Sequence, residues 1–375
     1  MKKRMGIVSY NLYGNFTNYG SALQQYALQH VVNNLPEGNV ESIVLDYCPD
    51  VLRENNVLNP FPNMWDQDEE VRKNAELSMP AIRKNWIKFQ QFFKEQYDLS
   101  KGKYTSQNFN DSLRNENLDG YICGSDTIWC TLEFKGFDDG YFGNYSVMKQ
   151  SHTIAYAASF GDAKMEGKDW EILAERMRNY KAIGVRENTY LSFIKENTKD
   201  ILVRRVLDPT LLLKGKEYEI ITAERQLEEP YLLLYTRRYN HKMEEYARKL
   251  AEKNNWRVVE ISLRATNVDR GHIMRYDAGV EEFLSLVKSA EYVVTNSFHG
   301  VIFAIQMHRN FSVFSREQAD VKIDELLGWL NLTGRKMVTG KESLEEEIDY
   351  ETVEAVLADK RKESLEYLSE ALKEV

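Results

Sequence analysis

Cysteine is scarce in this chain: Cys48, Cys123 and Cys130 are the only three in 375 residues, an odd number without metal-ligand spacing. That excludes a disulfide-stapled scaffold and suits a reducing compartment. Histidine is sparse too. The six are dispersed, and none forms the i, i+4 pair of a zinc-binding helix, so no metal is expected. Net positive charge is lacking: 49 Lys and Arg against 58 Asp and Glu leave −9, which argues against nucleic acid as the main partner while allowing a local basic cleft. No apolar run approaches the roughly 18 residues of a membrane span, so no transmembrane segment is expected. The basic start Met1-Lys2-Lys3-Arg4 leads into a strand that is too short and too polar afterwards for a signal peptide, so a cytoplasmic location is expected. Asn15-Phe16-Thr17 and Asn144-Tyr145-Ser146 match the glycosylation pattern but carry no weight without a secretion signal. There is no Walker-type phosphate loop and no complete dinucleotide fingerprint.

What is present is an alternation of short apolar runs and helical patterns in an ordinary globular composition, 43% hydrophobic and 29% charged. A chain of 375 residues outgrows a single core, so two domains are the natural expectation. Strands are expected at Gly6–Tyr10, Ser42–Asp46, Gly120–Cys123, Thr153–Ala158, Ala182–Val185 and Ile201–Leu207, with Ser21 capping the first helix. A second series places strands at Tyr231–Tyr235, Val258–Ile261, Tyr292 onward and Phe311–Phe314, with helices at His241–Lys253, Val280–Ser289 and Val301–Met307 between them. Strands separated by helices of this length imply right-handed βαβ units and mainly parallel sheets. The fold class expected is therefore α/β: two facing Rossmann-like domains and a long C-terminal helix. An N-terminal domain spans 1–220, with a helical insertion at about 50–117. A linker lies within Lys214–Pro230, the second domain spans 228–340 and the terminal helix 341–375. Trp86, Phe89, Phe92 and Phe93 in the insertion stand at helical spacing and read as packing residues, as do Trp129 and Cys130 against the first sheet.

In open α/β sheets, ligands bind at the carboxyl ends of strands, where helix N-termini offer free N–H groups. The most informative stretch on that rule is Asn296-Ser297-Phe298-His299-Gly300, directly after the apolar run Tyr292-Val293-Val294. A histidine is a side chain suited to proton exchange in catalysis, and a glycine permits close backbone approach. His299 fits a structural histidine as well; Ser297 and Gly300 beside it favour function. Other strand-end loops bring Asn15–Gly20, Gly124–Asp126, Ser159–Gly161 and Arg186 from the first domain. Thr236-Arg237-Arg238, Arg264 and Ser315-Arg316 come from the second. A cleft with small hydroxyl and amide groups, several arginines and one histidine suits an anionic, phosphorylated ligand. Arg186 beside Glu187 reads equally as an ion pair, Asp126 as a cap or turn residue, Asp208 before Pro209 as a turn former, and Arg237-Arg238 as a solvated pair of which one reaches the cleft.

Taken together these loops resemble the polysaccharide pyruvyl transferase family. The matching residues are Asn18-Tyr19-Gly20-Ser21-Ala22-Leu23-Gln24, Gly124-Ser125-Asp126-Thr127-Ile128-Trp129, Tyr156 to Gly161, Val185-Arg186-Glu187, Leu207-Asp208-Pro209-Thr210 and Asn296 to Gly300. They run in order over most of the chain. The resemblance implies a GT-B-like architecture and transfer of the pyruvyl group of phosphoenolpyruvate to two hydroxyls of a sugar, leaving a ketal and releasing phosphate. It implies no cofactor beyond that donor, and a glycan or lipid-linked saccharide as acceptor. His299 and Asp126 become the catalytic candidates. Arg186, Asn18, Gly20, Ser21, Gln24, Gly124, Ser125, Ser159, Arg237, Asn296, Ser297 and Gly300 become substrate-binding candidates, with Arg186 on the donor's anionic groups. One departure stands out. Many members read Arg-Leu-His where this chain reads Ser297-Phe298-His299. Arg237, Arg264 and Arg316 are the candidate replacements for that arginine.

The same architecture also serves glycosyltransferases that use nucleotide sugars, and a catalytically silent glycan-binding protein of this fold is the alternative from outside enzymology. The insertion is an expected source of acceptor contacts, because specificity sits on additions to a scaffold.

Overall fold

The apolar runs assemble into two sheets in which every pairing among the described residues is parallel. The computed structural model describes residues 2–10, 12–36, 39–64, 68–316, 320–337 and 347–373. Asn11 of the first loop, 338–340 at the end of the second unit, and 341–346 and 374–375 of the terminal segment lie outside them.

The first sheet holds seven strands in the order β3-β2-β1-β4-β5-β6-β7. They are β1 (Lys3–Val8), β2 (Val40–Tyr47), β3 (Leu99–Tyr104), β4 (Gly120–Cys123), β5 (His152–Ala158), β6 (Ala182–Val185) and β7 (Leu202–Arg205). The second holds six, ordered β10-β9-β8-β11-β12-β13. These are β8 (Tyr231–Tyr235), β9 (Arg257–Ile261), β10 (Ile273–Met274), β11 (Tyr292–Thr295), β12 (Phe311–Phe314) and β13 (Lys336–Met337). Each sheet reverses its winding once, between β1 and β4 and between β8 and β11. At such a switch point the connecting helices leave on opposite faces and a crevice opens at the strands' carboxyl ends. The molecule is therefore a pair of Rossmann-like lobes.

Three local expectations need correction. The first helix, Tyr19–Asn33, is capped by Asn18 and not by Ser21: the Asn18 side chain accepts from the backbone N–H of Gly20 and Ser21. The helix after β11 starts at Phe298, three residues earlier than its apolar periodicity suggests, because Ser297 is its cap and accepts from Gly300 N–H. The stretch at 50–117 is more than helical. Its helix Glu69–Gln96 is followed by β3, which forms the edge of the first sheet. Phe89, Phe92 and Phe93 on that helix are buried core, as their spacing indicates. The terminal helix, Tyr350–Ala371, docks on the first lobe. Tyr367 donates to Ala155 O at 2.8 Å, Arg361 Nε to Leu211 O at 2.8 Å, and Ser364 Oγ accepts from Leu207 N–H at 3.0 Å. No helix among the described residues is long and apolar enough to cross a membrane.

The lobes meet through the start of the first helix and through the 69–96 helix. Tyr19 stacks on Phe283 of the second lobe with ring centres 4.5 Å apart, and its hydroxyl donates to Ala278 O at 2.8 Å. Asn85 Nδ2 donates to the same carbonyl, and Lys88 pairs with Glu282 at 2.6 Å. Tyr19 is 4% exposed, so truncating it opens a cavity between the lobes and removes one of the two hydrogen bonds to Ala278 O. Tyr19→Ala is expected to cost about 3–5 kcal/mol, read as a lowered midpoint in urea unfolding; Tyr19→Phe, which keeps the stack, costs about 1 kcal/mol.

Candidate active site

The carboxyl ends of the two switch points face each other across a cleft of about 470 Å³. Of the residues singled out in the sequence, Asn15, Asn18, Ser21, Asp126, Gly161, Arg237, Arg238, Ser297, His299 and Arg316 line it. Their backbones are held by the local devices of strand-to-helix turns. Asn18 and Ser297 cap the helices that begin on either side. Asn296 accepts from Arg237 N–H at 2.9 Å and donates to Arg238 O at 2.6 Å, which fixes the loop after β8 against the loop after β11.

Behind the cleft lies a buried chain of charge. Ser21 Oγ donates to Asp126 Oδ2 at 2.5 Å; Asp126 Oδ1 is 3.5 Å from Arg186 Nη2; Arg186 Nη1 donates to Asp208 Oδ2 at 2.7 Å; and that same oxygen is 3.5 Å from His299 Nε2. Glu187 stands 3.9 Å from Arg186 Nε. Burial alone would raise the pKa of Asp126, but Arg186, His299, Lys322 and the Ser21 hydroxyl outweigh it and hold the carboxyl below its ordinary range. Burial is likewise outweighed at Asp208, by His299 first and then Arg186 and Thr210, and its carboxyl lies well below the usual values. Both are carboxylates at neutral pH. Gly20 is the close-packed point of the arrangement: a Cβ there would lie 2.0 Å from His299 Nδ1, so a glycine lets the histidine of the second lobe rest on the first helix.

The remaining residues from the sequence reading fall behind this surface. Arg186 is buried at 5% exposure and ion-paired, so it backs the cleft and does not line it. Gln24 donates to Ser9 Oγ and Ser21 O and accepts from Ser125 N–H, tying the first helix to the ends of β1 and β4. Ser125 donates to Ala157 O, and Gly124 at φ +136° sits where a Cβ would strike Tyr156 O. Ser159 accepts from Gly161 N–H at 3.1 Å. Gly300 lacks a side chain because Thr295 and Tyr235 occupy that space, so its role is packing and not close approach to a ligand.

Several cleft groups had no sequence signal. Lys322 belongs to the helix Asp320–Trp329, outside every motif, yet faces the cleft with Arg237, Arg238 and Arg316. Burial pushes its ammonium pKa down, and Arg186 and Arg316 push the same way. The Arg316 guanidinium is lowered by burial and then by Arg237. Glu133, across the cleft, accepts from Thr127 Oγ1 at 3.0 Å; desolvation raises its pKa, with Asp126 adding to the rise. Asp208 caps Thr210 N–H as a turn former should, and its second oxygen serves Arg186 and His299. Arg264 lies in a neighbouring cavity, paired with Glu70 at 2.7 Å. Among the described residues no cluster of three or more His, Cys, Asp or Glu is arranged to hold a metal ion.

A carboxyl whose pKa is lowered on folding contributes stability that is fully present above its unfolded value of about 3.9 and is lost as pH falls towards the folded one. Asp208→Asn leaves Arg186 short of its nearest counter-charge and is expected to cost about 3 kcal/mol at pH 7. The difference from the native protein should narrow in urea unfolding at pH 3, where the native carboxylate is also losing its advantage. An equal gap at both pH values would show that the charge of Asp208 contributes nothing.

A family model of polysaccharide pyruvyl transferases matches residues 18–318. No curated protein sequence matches the chain. Among solved structures, UDP-N-acetylglucosamine 2-epimerase from Rickettsia bellii is similar over 100% of both chains, with a TM-score of 0.52 and 10% identity. The S. aureus MnaA–UDP co-structure has a TM-score of 0.51 and 13% identity over 99% of this chain and 91% of that one. UDP-GlcNAc 2-epimerase from Neisseria meningitidis has a TM-score of 0.50 and 10% identity over 99% and 94%. At these identities the likeness is one of fold, a GT-B-like pair of lobes. The family match begins at the cap of the first helix and takes in the cleft loops from there to Arg316. The chain belongs to the polysaccharide pyruvyl transferase family.

Proposed function

We propose that the protein transfers the pyruvyl group of phosphoenolpyruvate to two hydroxyls of a sugar, on a surface or exported glycan or on its lipid-linked precursor. The donor carries a phosphate and a carboxylate. The observation that carries this reading is the convergence of Arg237, Arg316 and Lys322 with His299 on one cleft of a chain from this family. Burial and neighbouring guanidiniums depress the pKa values of Lys322 and Arg316, and a bound polyanion supplies the counter-charge that favours both cations. The helix beginning at Phe298 adds the positive end of its dipole to the same place. Arg237 and Arg316 thus stand in for the arginine that Ser297 replaces. Arg264 is occupied elsewhere.

The chemistry asks for proton movement in two steps. One sugar hydroxyl gives up its proton as it adds to carbon 2 of the enol while the methylene carbon takes one, so protons balance and a tetrahedral phosphate ester forms. The second hydroxyl displaces phosphate, its proton departing as the ketal closes. His299, oriented by Asp208, is assigned the first exchange. Asp126, ionised and committed to Ser21 and Arg186, is a weak base, so its assigned role is to hold that surface. Glu133, with a raised pKa, is the second proton carrier in reach of the cleft.

Incubation with phosphoenolpyruvate and a panel of glycans is expected to release phosphate. His299→Gln should lower turnover about 100-fold or more with a nearly unchanged melting temperature. Arg316→Ala should raise KM for phosphoenolpyruvate about tenfold, the loss of one charge-assisted contact. A nucleotide sugar that is consumed while phosphoenolpyruvate is not would overturn the reading.

A further inference from the structure

A second cavity of about 120 Å³ adjoins the cleft and shares Phe16, Arg237 and Arg238 with it. It opens between the 69–96 helix and the carboxyl ends of β8 and β9. It is smaller than the apolar cavity of about 150 Å³ that holds a benzene ring, but it is continuous with the cleft, so a six-membered ring fits with part of its edge in the cleft. Apart from Arg237, which stands between the two, the proton transfers and the donor's charges make no use of it.

Its walls combine aromatic faces with cations. Phe16, Tyr235, Tyr239 and Tyr276 line it together with Arg237, Arg238 and Arg264, and among the described residues no carboxylate does. Arg264 is fixed in place: its guanidinium lies 3.7 Å from the centre of the Tyr239 ring and its Nη2 is 2.7 Å from Glu70 Oε1. Its Nε is buried and has no hydrogen-bond partner. A buried donor left unmatched on a rigid fork is costly unless an oxygen from outside meets it. The loop that carries it is braced from below. Ser262 Oγ accepts from Arg264 N–H at 3.1 Å and donates to Glu260 Oε1 at 2.5 Å, while Glu260 also accepts from Asn267 and lies 2.6 Å from His272 Nδ1. From the other side, Asn74 of the 69–96 helix accepts from Thr266 N–H and Oγ1 at 2.9 Å. Such bracing on both sides pre-forms the pocket.

We propose that this cavity is a saccharide subsite that takes one pyranose ring bearing a carboxylate or a phosphate, the sugar adjoining the one that reacts. Calling that ring part of the acceptor rests on the pyruvyl transfer reading; its binding does not. A pyranose offers a flat C–H face to aromatic side chains, and its anionic group meets guanidinium forks. A nucleobase would match the aromatic walls but would leave three cations facing a neutral ring, and one face of Tyr239 is already covered by Arg264.

Calorimetry on the intact chain tests this with four probes: glucuronic acid, glucose 1-phosphate, glucose and uridine. Glucuronic acid or glucose 1-phosphate should bind, the stronger of the two identifying which anion the site prefers, and glucose should bind at least tenfold more weakly. Arg264→Gln, and Val71→Trp to fill the cavity from the 69–96 helix, should each weaken that binding at least tenfold while changing the affinity for phosphoenolpyruvate less than twofold. That second measurement reports an intact cleft and separates lost binding from lost folding. Binding that survives Val71→Trp, binding of uridine in place of both anionic sugars, or no binding by either anionic sugar would overturn the proposal. Sugar binding with no affinity for phosphoenolpyruvate would instead overturn the donor assignment and leave the subsite standing.

Discussion

One buried guanidinium organises the meeting of the two lobes. Arg186 leaves the end of β6 beneath the cleft, where water cannot neutralise it, and so must be met by carboxylates from other loops. Asp126 arrives from the loop after β4, Asp208 from the turn after β7 and Glu187 from its own side. Each brings a further constraint. Asp126 reaches Ser21 on the first helix, Glu187 accepts from Phe160 N–H after β5, and Asp208 stands under His299 of the second lobe. Four strand ends of the first sheet and one of the second are thereby positioned by a single charge. The surface that faces the cleft is consequently rigid where the proposed chemistry needs fixed geometry.

The division of labour follows from this. Residues inside the charge chain are paired with one another and set positions. Residues that look outward, Arg237, Arg316 and Lys322 among them, crowd like charges into a partly dry cleft, an arrangement that is unfavourable alone and favourable around a polyanion. The lobes are held close by aromatic stacking at Tyr19 and by the 69–96 helix, which touches the second lobe through Asn74, Asn85 and Lys88. The segment that interrupts the βα alternation is therefore also the strap across it, and it closes one side of the smaller cavity.

Much of this was legible in the chain. Alternating apolar runs such as Tyr231–Tyr235 and Ala182–Val185 are buried on both sheet faces, and parallel strands of that kind announce themselves by continuous Val, Ile and Leu. The polar residues that follow such runs therefore fall at the carboxyl end of the sheet. Whether a residue points into the cleft or behind it was not legible. Arg186 and Arg237 both follow a strand end, and only tertiary packing buries the first among carboxylates and leaves the second on the cleft. Lys322 carries no motif; it reaches the site because its helix follows β12. β3 gives no clear signal because Leu99–Tyr104, half polar and at a sheet edge, has little apolar periodicity. Asp208 shows a further limit. Its turn-forming pattern is real, but one carboxylate has two oxygens, and a sequence signal that accounts for the first says nothing about the second.

Everything proposed for the cleft requires that Arg237, Arg316 and Lys322 of the second lobe share one small acid with His299. A crystal structure of the protein soaked with phosphoenolpyruvate tests it most directly. The phosphate and carboxylate are expected among Arg237, Arg316 and Lys322, with the enol carbon beside the His299 ring. Phosphoenolpyruvate bound away from those side chains, or a cleft that stays empty at saturating donor, would contradict it.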